Sequence, residues 1–273
     1  MYRYVNIGFI GSGKMAGAII KGLIKTGFRT RENLLATKSL PEGLKEKSEE
    51  LGIDVILDNK ELVKKSDVIF LAAKPNQIIG ILEEIKPFVT QEKLIVSVAA
   101  GVNTFKIENN LSEKSRVIRV MPNTPALIGE GMSGMVGGKY ADEADINFVK
   151  ELLSQIGKCV VVDEESQIDI VTAISGSGPA FYYKVINGIA RAGEKLGMNY
   201  EKALMLSIQT AIGSAKMALN RDISMEQLVS NVATKGGCTA VGIDTMNEYD
   251  TEKLFYEVIK NTTEKASALG RGK

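Results

Sequence analysis

Between Val5 and Gly27 the chain reads VNIGFIGSGKMAGAIIKGLIKTG, and no other stretch restricts its fold so tightly. Val5, Ile7, Phe9 and Ile10 form an apolar run of strand length, with the composition of a strand buried in a parallel sheet. The run breaks at Gly11-Ser12-Gly13, and a helical period follows at once. Met15, Ile19 and Leu23 share one face, with Ala16, Ile20 and Ile24 beside them, and Gly27 is a natural stop. In a strand–turn–helix unit of this kind Gly11 permits the tight turn, Gly13 lets a pyrophosphate approach the backbone, and Ala16 lets the helix sit close to the strand. The free N–H groups of the helix then face the phosphates. A glycine-rich turn without a ligand is the alternative reading of the same residues.

Composition narrows the function further. The 273 residues can bury a sizeable core, divided into two domains. A net charge of +1 points to neither a nucleic-acid partner nor an acidic membrane surface. The longest apolar runs, Val68–Ala73 and Leu94–Val102, are too short to span a bilayer. The first strand begins close to Met1, where no signal peptide is expected. The only cysteines, Cys159 and Cys238, are far apart and mark no disulfide framework, which suits a reducing, cytoplasmic setting. The chain has no histidine, which removes Ser-His and Cys-His nucleophiles, histidine metal sites and the commonest general base. No metal is expected, and a cofactor should carry the hard chemistry while the protein positions it.

Taken in order, a second strand at Asn33–Thr37 ends in Ala36-Thr37-Lys38-Ser39, with no acid to hold the ribose hydroxyls of NAD. The hydroxyl of Thr37 and the cation of Lys38 suit a ribose 2′-phosphate, so NADP(H) is preferred and NAD(H) remains possible. A solvated surface lysine is the other reading of Lys38. A charged helix at Leu40–Leu51, a strand at Asp54–Leu57 and a helix at Asn59–Lys65 follow. Val68–Ala73 is a buried strand before Lys74-Pro75 and a helix at Asn76–Ile85, so Ala72, Ala73, Lys74 and Pro75 should border the cofactor. Leu94–Val98 ends in the small residues Ala99-Ala100-Gly101, where a ribose or nicotinamide can come close. Strands at Arg116–Val120, Met132–Val136 and Cys159–Val162, with a helix at Asp142–Gln155, complete a sheet of eight. The fold expected is α/β: a doubly wound, parallel, Rossmann-type domain over residues 1–163, then an all-α domain over residues 164–273.

In the helical part Phe181, Val185, Ile189, Ala192 and Leu196 mark one face of a helix that opens near Pro179. Ala203–Leu219 is apolar nearly all round, and a helix of that kind must be buried on every side. A small helical domain cannot hide it alone, so an intimate homodimer is expected. The stretch Leu228–Met246, LVSNVATKGGCTAVGIDTM, places Lys235-Gly236-Gly237 between two helices, with Thr239 able to cap the second through its side-chain oxygen. Asn231, Thr234 and Thr239 surround the turn with neutral hydrogen-bonding groups, and the N–H groups of Cys238 and Thr239 could hold a small carboxylate. An ordinary capped helix after a glycine turn has the same pattern.

Six motifs carry a family likeness: GFIGSGKMA (Gly8–Ala16), FLAAKP (Phe70–Pro75), VSVAAGV (Val96–Val102), RVMPNTP (Arg119–Pro125), SGSGPAF (Ser175–Phe181) and ATKGGCT (Ala233–Thr239). Together they resemble pyrroline-5-carboxylate reductase, in the family's order and over nearly the whole chain. Lys235 stands where proline is common in the family. The resemblance implies reduction of the cyclic imine 1-pyrroline-5-carboxylate to L-proline by hydride transfer from NAD(P)H, the last step of proline biosynthesis. It also implies that Ile10, Gly11, Ser12, Gly13, Lys14 and Met15 hold the pyrophosphate and Thr37 the adenosine ribose region. Asn59, Ala72–Pro75, Val98, Ala99 and Ala100 would line the rest of the dinucleotide. Substrate contacts map to Glu165, Asn231, Thr234, Gly237, Cys238 and Thr239, with Thr239 bonding the ring nitrogen as the catalytic residue. Relatives also stack dimers into decamers.

Two other readings fit parts of the same sequence. A β-hydroxyacid-type dehydrogenase carries a lysine and an asparagine one helical turn apart, and Lys184 and Asn187 have that spacing. Lys184, however, falls six residues after Gly178 rather than one turn, which rotates it away from the expected face. A non-catalytic dinucleotide-binding paralogue should have degraded substrate contacts, and Thr234, Gly236, Gly237 and Thr239 are intact.

Overall fold

The computed structural model describes residues 5–220 and 222–270. Alternating strands and helices build its first half: β1 (Ile7–Ile10), α1 (Lys14–Lys25), β2 (Leu34–Thr37), α2 (Leu44–Leu51), β3 (Asp54–Ile56), α3 (Asn59–Lys65) and β4 (Val68–Leu71). After them come α4 (Ile78–Ile85), β5 (Leu94–Ser97), α5 (Thr104–Asn110), β6 (Arg116–Met121), β7 (Gly131–Gly137), α6 (Glu143–Leu153) and β8 (Gly157–Val161). The helical part holds α7 (Gln167–Val171), α8 (Gly178–Lys195), α9 (Tyr200–Leu219), α10 (Met225–Val232), α11 (Cys238–Glu248) and α12 (Thr251–Gly270).

The eight strands form one sheet in the order β3-β2-β1-β4-β5-β6-β7-β8. The chain leaves β1 in one direction through β2 and β3, then restarts on its other side at β4. The carboxyl ends of β1 and β4 therefore flank the switch point, where ligands bind in sheets of this type. Their register, Ile7 beside Val68 through Ile10 beside Leu71, continues beyond the strands as Ala72 N donates to the Ile10 carbonyl at 2.9 Å. β1 and β4 are wholly buried, which explains their unbroken apolar sequence. One face of the sheet packs Ile7, Phe9, Phe70 and Val96 against α1 and α6, and the Phe9 and Phe70 rings stack at 4.8 Å. The other face packs Ile69, Leu71 and Ile95 against Leu62, Ile78, Leu82 and Ile107.

Several expectations change. The sheet is not wholly parallel: β7 runs antiparallel to β6, with Val120 beside Met135. The link from Met121 to Gly131 is too short for the crossover a parallel neighbour needs. β8 returns parallel to β7 because α6 provides that crossover. The charged helix starts at Leu44 rather than Leu40, since Gly43 takes a left-handed conformation that ends the preceding turn. A helix not foreseen, α5, joins β5 to β6, with the Asn103 side chain capping Lys106 N at 2.8 Å.

By compactness, residues 5–177 with 262–270 form one unit and 178–261 a second. Within the second unit α8 and α9 pack closely, and Ser207 Oγ donates to the Ile186 carbonyl at 3.0 Å. Complete burial of α9 is not reached in one chain: Ala203 and Ser207 are buried, while Met205, Leu206, Ile212 and Met217 are exposed. Among the described residues no helix is long and apolar enough to cross a membrane.

Candidate functional site

A cleft of about 410 Å³ opens at the carboxyl ends of β1, β2 and β4. Ile10, Gly11, Ser12, Gly13, Thr37, Lys38, Asn59, Ala72, Ala73 and Lys74 line it, so ten of the residues expected at the cofactor meet in one place. Lys14 and Met15 begin α1 beside it, and Pro75 opens the turn into α4. Val98, Ala99 and Ala100 follow β5 outside the lining, with Val98 N donating to the Leu71 carbonyl at 3.1 Å.

The turn is built to receive an anion. Gly11 has φ +103°, and a Cβ there would lie 2.7 Å from the Ala72 carbonyl oxygen, so only glycine lets the turn close on β4. Gly13 has no atom within 4 Å of where its Cβ would stand. No side chain caps α1 at Gly13, and its first turn carries no acid. The positive end of a twelve-residue helix thus faces open space over a bare backbone, which fits the pyrophosphate of a dinucleotide.

The end of β2 differs in detail from its reading in the sequence. Thr37 is only 3% exposed. Its Oγ1 donates to Asn59 Oδ1 at 2.7 Å and accepts from Gly11 N at 3.3 Å, so the hydroxyl braces the glycine turn. Beside that strand end the cleft is lined by Lys38, whose Nζ bonds the Glu42 carbonyl, by Ser39, and by Lys47, whose Nζ pairs with Glu50. Lys47 was missed in the sequence, as were Leu57, Gln77 and Ile81. Its position one turn into α2, directly after the β2 end, was the available signal.

Glu165 belongs to the first unit and is heavily engaged there. Its carboxylate pairs with Arg119 Nη1 at 2.7 Å and accepts from Thr104 Oγ1 at 2.5 Å and Thr104 N at 3.3 Å. Arg119 is buried on β6 and also faces Asp169 at 3.6 Å. Asn123 of the RVMPNTP motif and Ser175, which opens SGSGPAF, interlock in the same unit. Asn123 Nδ2 donates to the Ser175 carbonyl at 3.2 Å, its Oδ1 accepts from Met132 N at 2.9 Å, and Ser175 Oγ donates to the Met132 carbonyl at 2.9 Å.

Asn231, Thr234, Gly237, Cys238 and Thr239 belong to the helical unit. Gly236 takes φ +77°, and Gly237 N donates to the Thr234 carbonyl at 2.9 Å, closing a tight turn before α11. A Cβ on Gly237 would come within 2.9 Å of Thr234 Oγ1 and 3.1 Å of the Thr234 carbonyl oxygen, so any larger residue there has to displace Thr234. Thr239 does not cap α11. Gly237 holds that position without a side-chain bond, because the helix begins at Cys238 and puts Thr239 inside its first turn. Cys238 is exposed and Thr239 half-buried, while Asn231 Oδ1 accepts from Gln227 Nε2 at 2.9 Å. Lys184 is exposed, and Asn187 accepts from the Tyr200 hydroxyl at 3.0 Å. Among the described residues no cluster of His, Cys, Asp and Glu could hold a metal ion.

Comparison with known proteins settles the family. The chain is 40% identical to the pyrroline-5-carboxylate reductase of Methanosarcina acetivorans, over 97% of this chain and 98% of that one. The chain belongs to the pyrroline-5-carboxylate reductase family. Its residues 165–269 match the family's dimerisation domain, and residues 6–101 match a domain described as NADP oxidoreductase, coenzyme F420-dependent. The fold is that of the Coxiella burnetii pyrroline-5-carboxylate reductase, with a TM-score of 0.92 at 34% identity, covering 97% of this chain and 98% of that one. The Plasmodium falciparum pyrroline carboxylate reductase, solved with NADP bound, aligns with a TM-score of 0.85 at 30% identity over 99% of this chain and 100% of that one. A member of this reductase family is thus a Rossmann-type oxidoreductase domain joined to a helical dimerisation domain.

Proposed function

We propose that the chain reduces 1-pyrroline-5-carboxylate to L-proline with NADPH, in the last step of proline biosynthesis, and that NADH serves less well. The observation that carries this reading is the uncapped α1 N-terminus over the bare Gly13 backbone, in a chain that matches the family end to end. When bound, the reduced nicotinamide supplies the hydride that the C=N carbon of the imine accepts. The α1 N-terminus binds and neutralises phosphate charge. Lys38, Ser39 and Lys47 support a 2′-phosphate, and β2 ends without the acid that would repel it. Ala72–Pro75 and Val98–Ala100 are small or backbone-rich segments that let the dinucleotide approach.

On the substrate side, the free N–H groups at the α11 N-terminus hold the carboxylate and the Thr239 hydroxyl bonds the ring nitrogen. Thr234 and Gly237 shape that turn, and Asn231, Cys238 and Glu165 complete the contacts assigned by the family likeness. The imine nitrogen is protonated readily in water, so a chain without histidine can work by orientation and polarisation. The dinucleotide role falls to the domain expected over residues 1–163 and the substrate and dimerisation roles to that expected over 164–273, while by compactness residues 164–177 and 262–270 group with the first. Met205, Leu206, Met217 and their exposed apolar neighbours support a homodimer, and the decamer that the family likeness implies requires a second interface between such dimers. Unpaired Cys159 and Cys238 suit a cytoplasmic location.

The test is oxidation of NADPH by the purified protein with 1-pyrroline-5-carboxylate, with NADH in parallel. Substrate-dependent oxidation, faster with NADPH, is expected; no oxidation while NADPH still binds would overturn the assigned reaction. Sedimentation at micromolar concentration should show at least a dimer, and a monomer would remove the assembly.

A further inference from the structure

One residue that no sequence motif singled out stands behind the glycine turn. Glu84, on α4, accepts from Asn59 Nδ2 at 2.9 Å. Asn59 Oδ1 accepts from Thr37 Oγ1 at 2.7 Å, and Thr37 Oγ1 accepts from Gly11 N at 3.3 Å. Each link has one possible polarity. A carboxylate only accepts, so it draws the amide NH2 of Asn59 and turns the amide oxygen toward Thr37. A hydroxyl has one proton, and once Thr37 spends it on Asn59 a lone pair is left for the Gly11 N–H. Were the Asn59 amide reversed, its NH2 would donate to Thr37, and the hydroxyl proton would no longer be committed away from the Gly11 N–H.

We propose that Glu84 is a positioning residue for dinucleotide binding: through Asn59 and Thr37 it fixes the Gly11 N–H inward and sets the glycine turn in its binding geometry. The inference rests on the cleft being the dinucleotide site, and it assigns to a side chain outside the cleft lining a part in shaping it.

The test compares Glu84→Met, which removes the acceptor at similar size, with Glu84→Gln, whose side-chain oxygen can still accept from Asn59. Both remove the negative charge, so a purely electrostatic role moves them together. NADPH binding is followed by fluorescence titration, and amide hydrogen exchange of residues 8–15 is followed in the ligand-free protein. Glu84→Met should raise Kd for NADPH about tenfold, equal to about 1.4 kcal/mol. It should also raise KM for NADPH with kcat unchanged and speed exchange across the turn, while Glu84→Gln stays within about twofold of wild type. Unchanged or tighter binding by Glu84→Met, or equal loss in both variants, overturns the proposal. If Glu84→Met does not fold, Glu84→Ser, too short to reach Asn59, takes its place with the same outcomes. Failure of the wild-type protein to bind NADPH would instead overturn the reading of the cleft.

Discussion

Adding one methyl group at Gly13 separates ligand binding from folding. Gly13 has φ −75° and ψ −172°, a conformation open to any residue, and no atom lies within 4 Å of the new Cβ. Alanine is a poorer helix N-cap than glycine, by about 1 kcal/mol, while it lowers unfolded-chain entropy by about 0.4–1 kcal/mol. These effects nearly cancel, so Gly13→Ala should shift the melting temperature of the ligand-free protein by no more than about 4 °C. The methyl group nevertheless occupies the space over the α1 N-terminus. If it displaces one charge-assisted hydrogen bond to phosphate, about 1.5–3 kcal/mol is lost, or a rise of about 10- to 150-fold in Kd for NADPH. Gly11→Ala provides the contrast. Its Cβ meets the Ala72 carbonyl at 2.7 Å and its φ is positive. Backbone strain and overpacking together should cost about 2–6 kcal/mol of stability. Thermal unfolding without ligand and NADPH titration of both variants make the measurement. Binding by Gly13→Ala within twofold of wild type would refute the passage of pyrophosphate over this residue.

Four further outcomes are expected. Thr239→Ala should lower turnover by about 10²-fold, the scale of a positioned proton-handling group, and unchanged steady-state kinetics would remove its assigned role. Burial pushes the Cys159 thiol up to about 11 against the pull of Lys150, which leaves about one thiolate in 10³ at pH 8. Exposed Cys238 should therefore be alkylated well before Cys159, as followed by mass spectrometry, and equal rates would contradict the burial. Asp145 is fully buried and pairs with Arg116 at 3.0 Å, so Asp145→Asn leaves a buried cation undercompensated and should cost about 3 kcal/mol in urea unfolding; a loss below about 1 kcal/mol would refute the pairing. Burial, foremost, holds the Glu108 carboxyl above its ordinary range, opposed by the Lys139 N–H and supported by the charge of Glu165. The folded state thus keeps that proton longer than the unfolded chain, so its contribution is fully present at acid pH and is lost as pH rises through the folded value. Glu108→Gln should flatten that decline in melting temperature between pH 4 and 7, and an unchanged slope would refute the assignment.

The strand–turn–helix at Val5–Gly27, the eight strands and the helical second part were legible because their signals are local. A strand buried on both faces has to be apolar throughout, a helix shows its period within a few turns, and a glycine turn declares itself by composition. Element ends were less legible, as at Leu44, because the last turn depends on one left-handed glycine. α5 escaped because TFKIENN is short and polar, with only Thr104 and Ile107 buried. The antiparallel setting of β7 was also hidden, since Ser133–Val136 is buried on both faces and such a strand reads the same in either direction.

At the candidate site the residue types were legible and their partners were not. Thr37 reads as a free hydroxyl beside a cofactor, yet its bonds go to Gly11 and Asn59, 26 and 22 residues away in the chain. Glu165 reads as a substrate contact, and in the first unit its carboxylate already meets Arg119 and Thr104. Lys47 and Glu84 carry no motif at all. Residue chemistry and periodicity are written along the chain, so the class of fold, the glycine turn and the absence of histidine chemistry followed from the order of residues. Which hydroxyl is spent, which carboxylate is paired and which lysine faces the cleft depend on atoms brought within about 3 Å across long chain separations, and those distances exist only once the sheet has closed and its helices have packed.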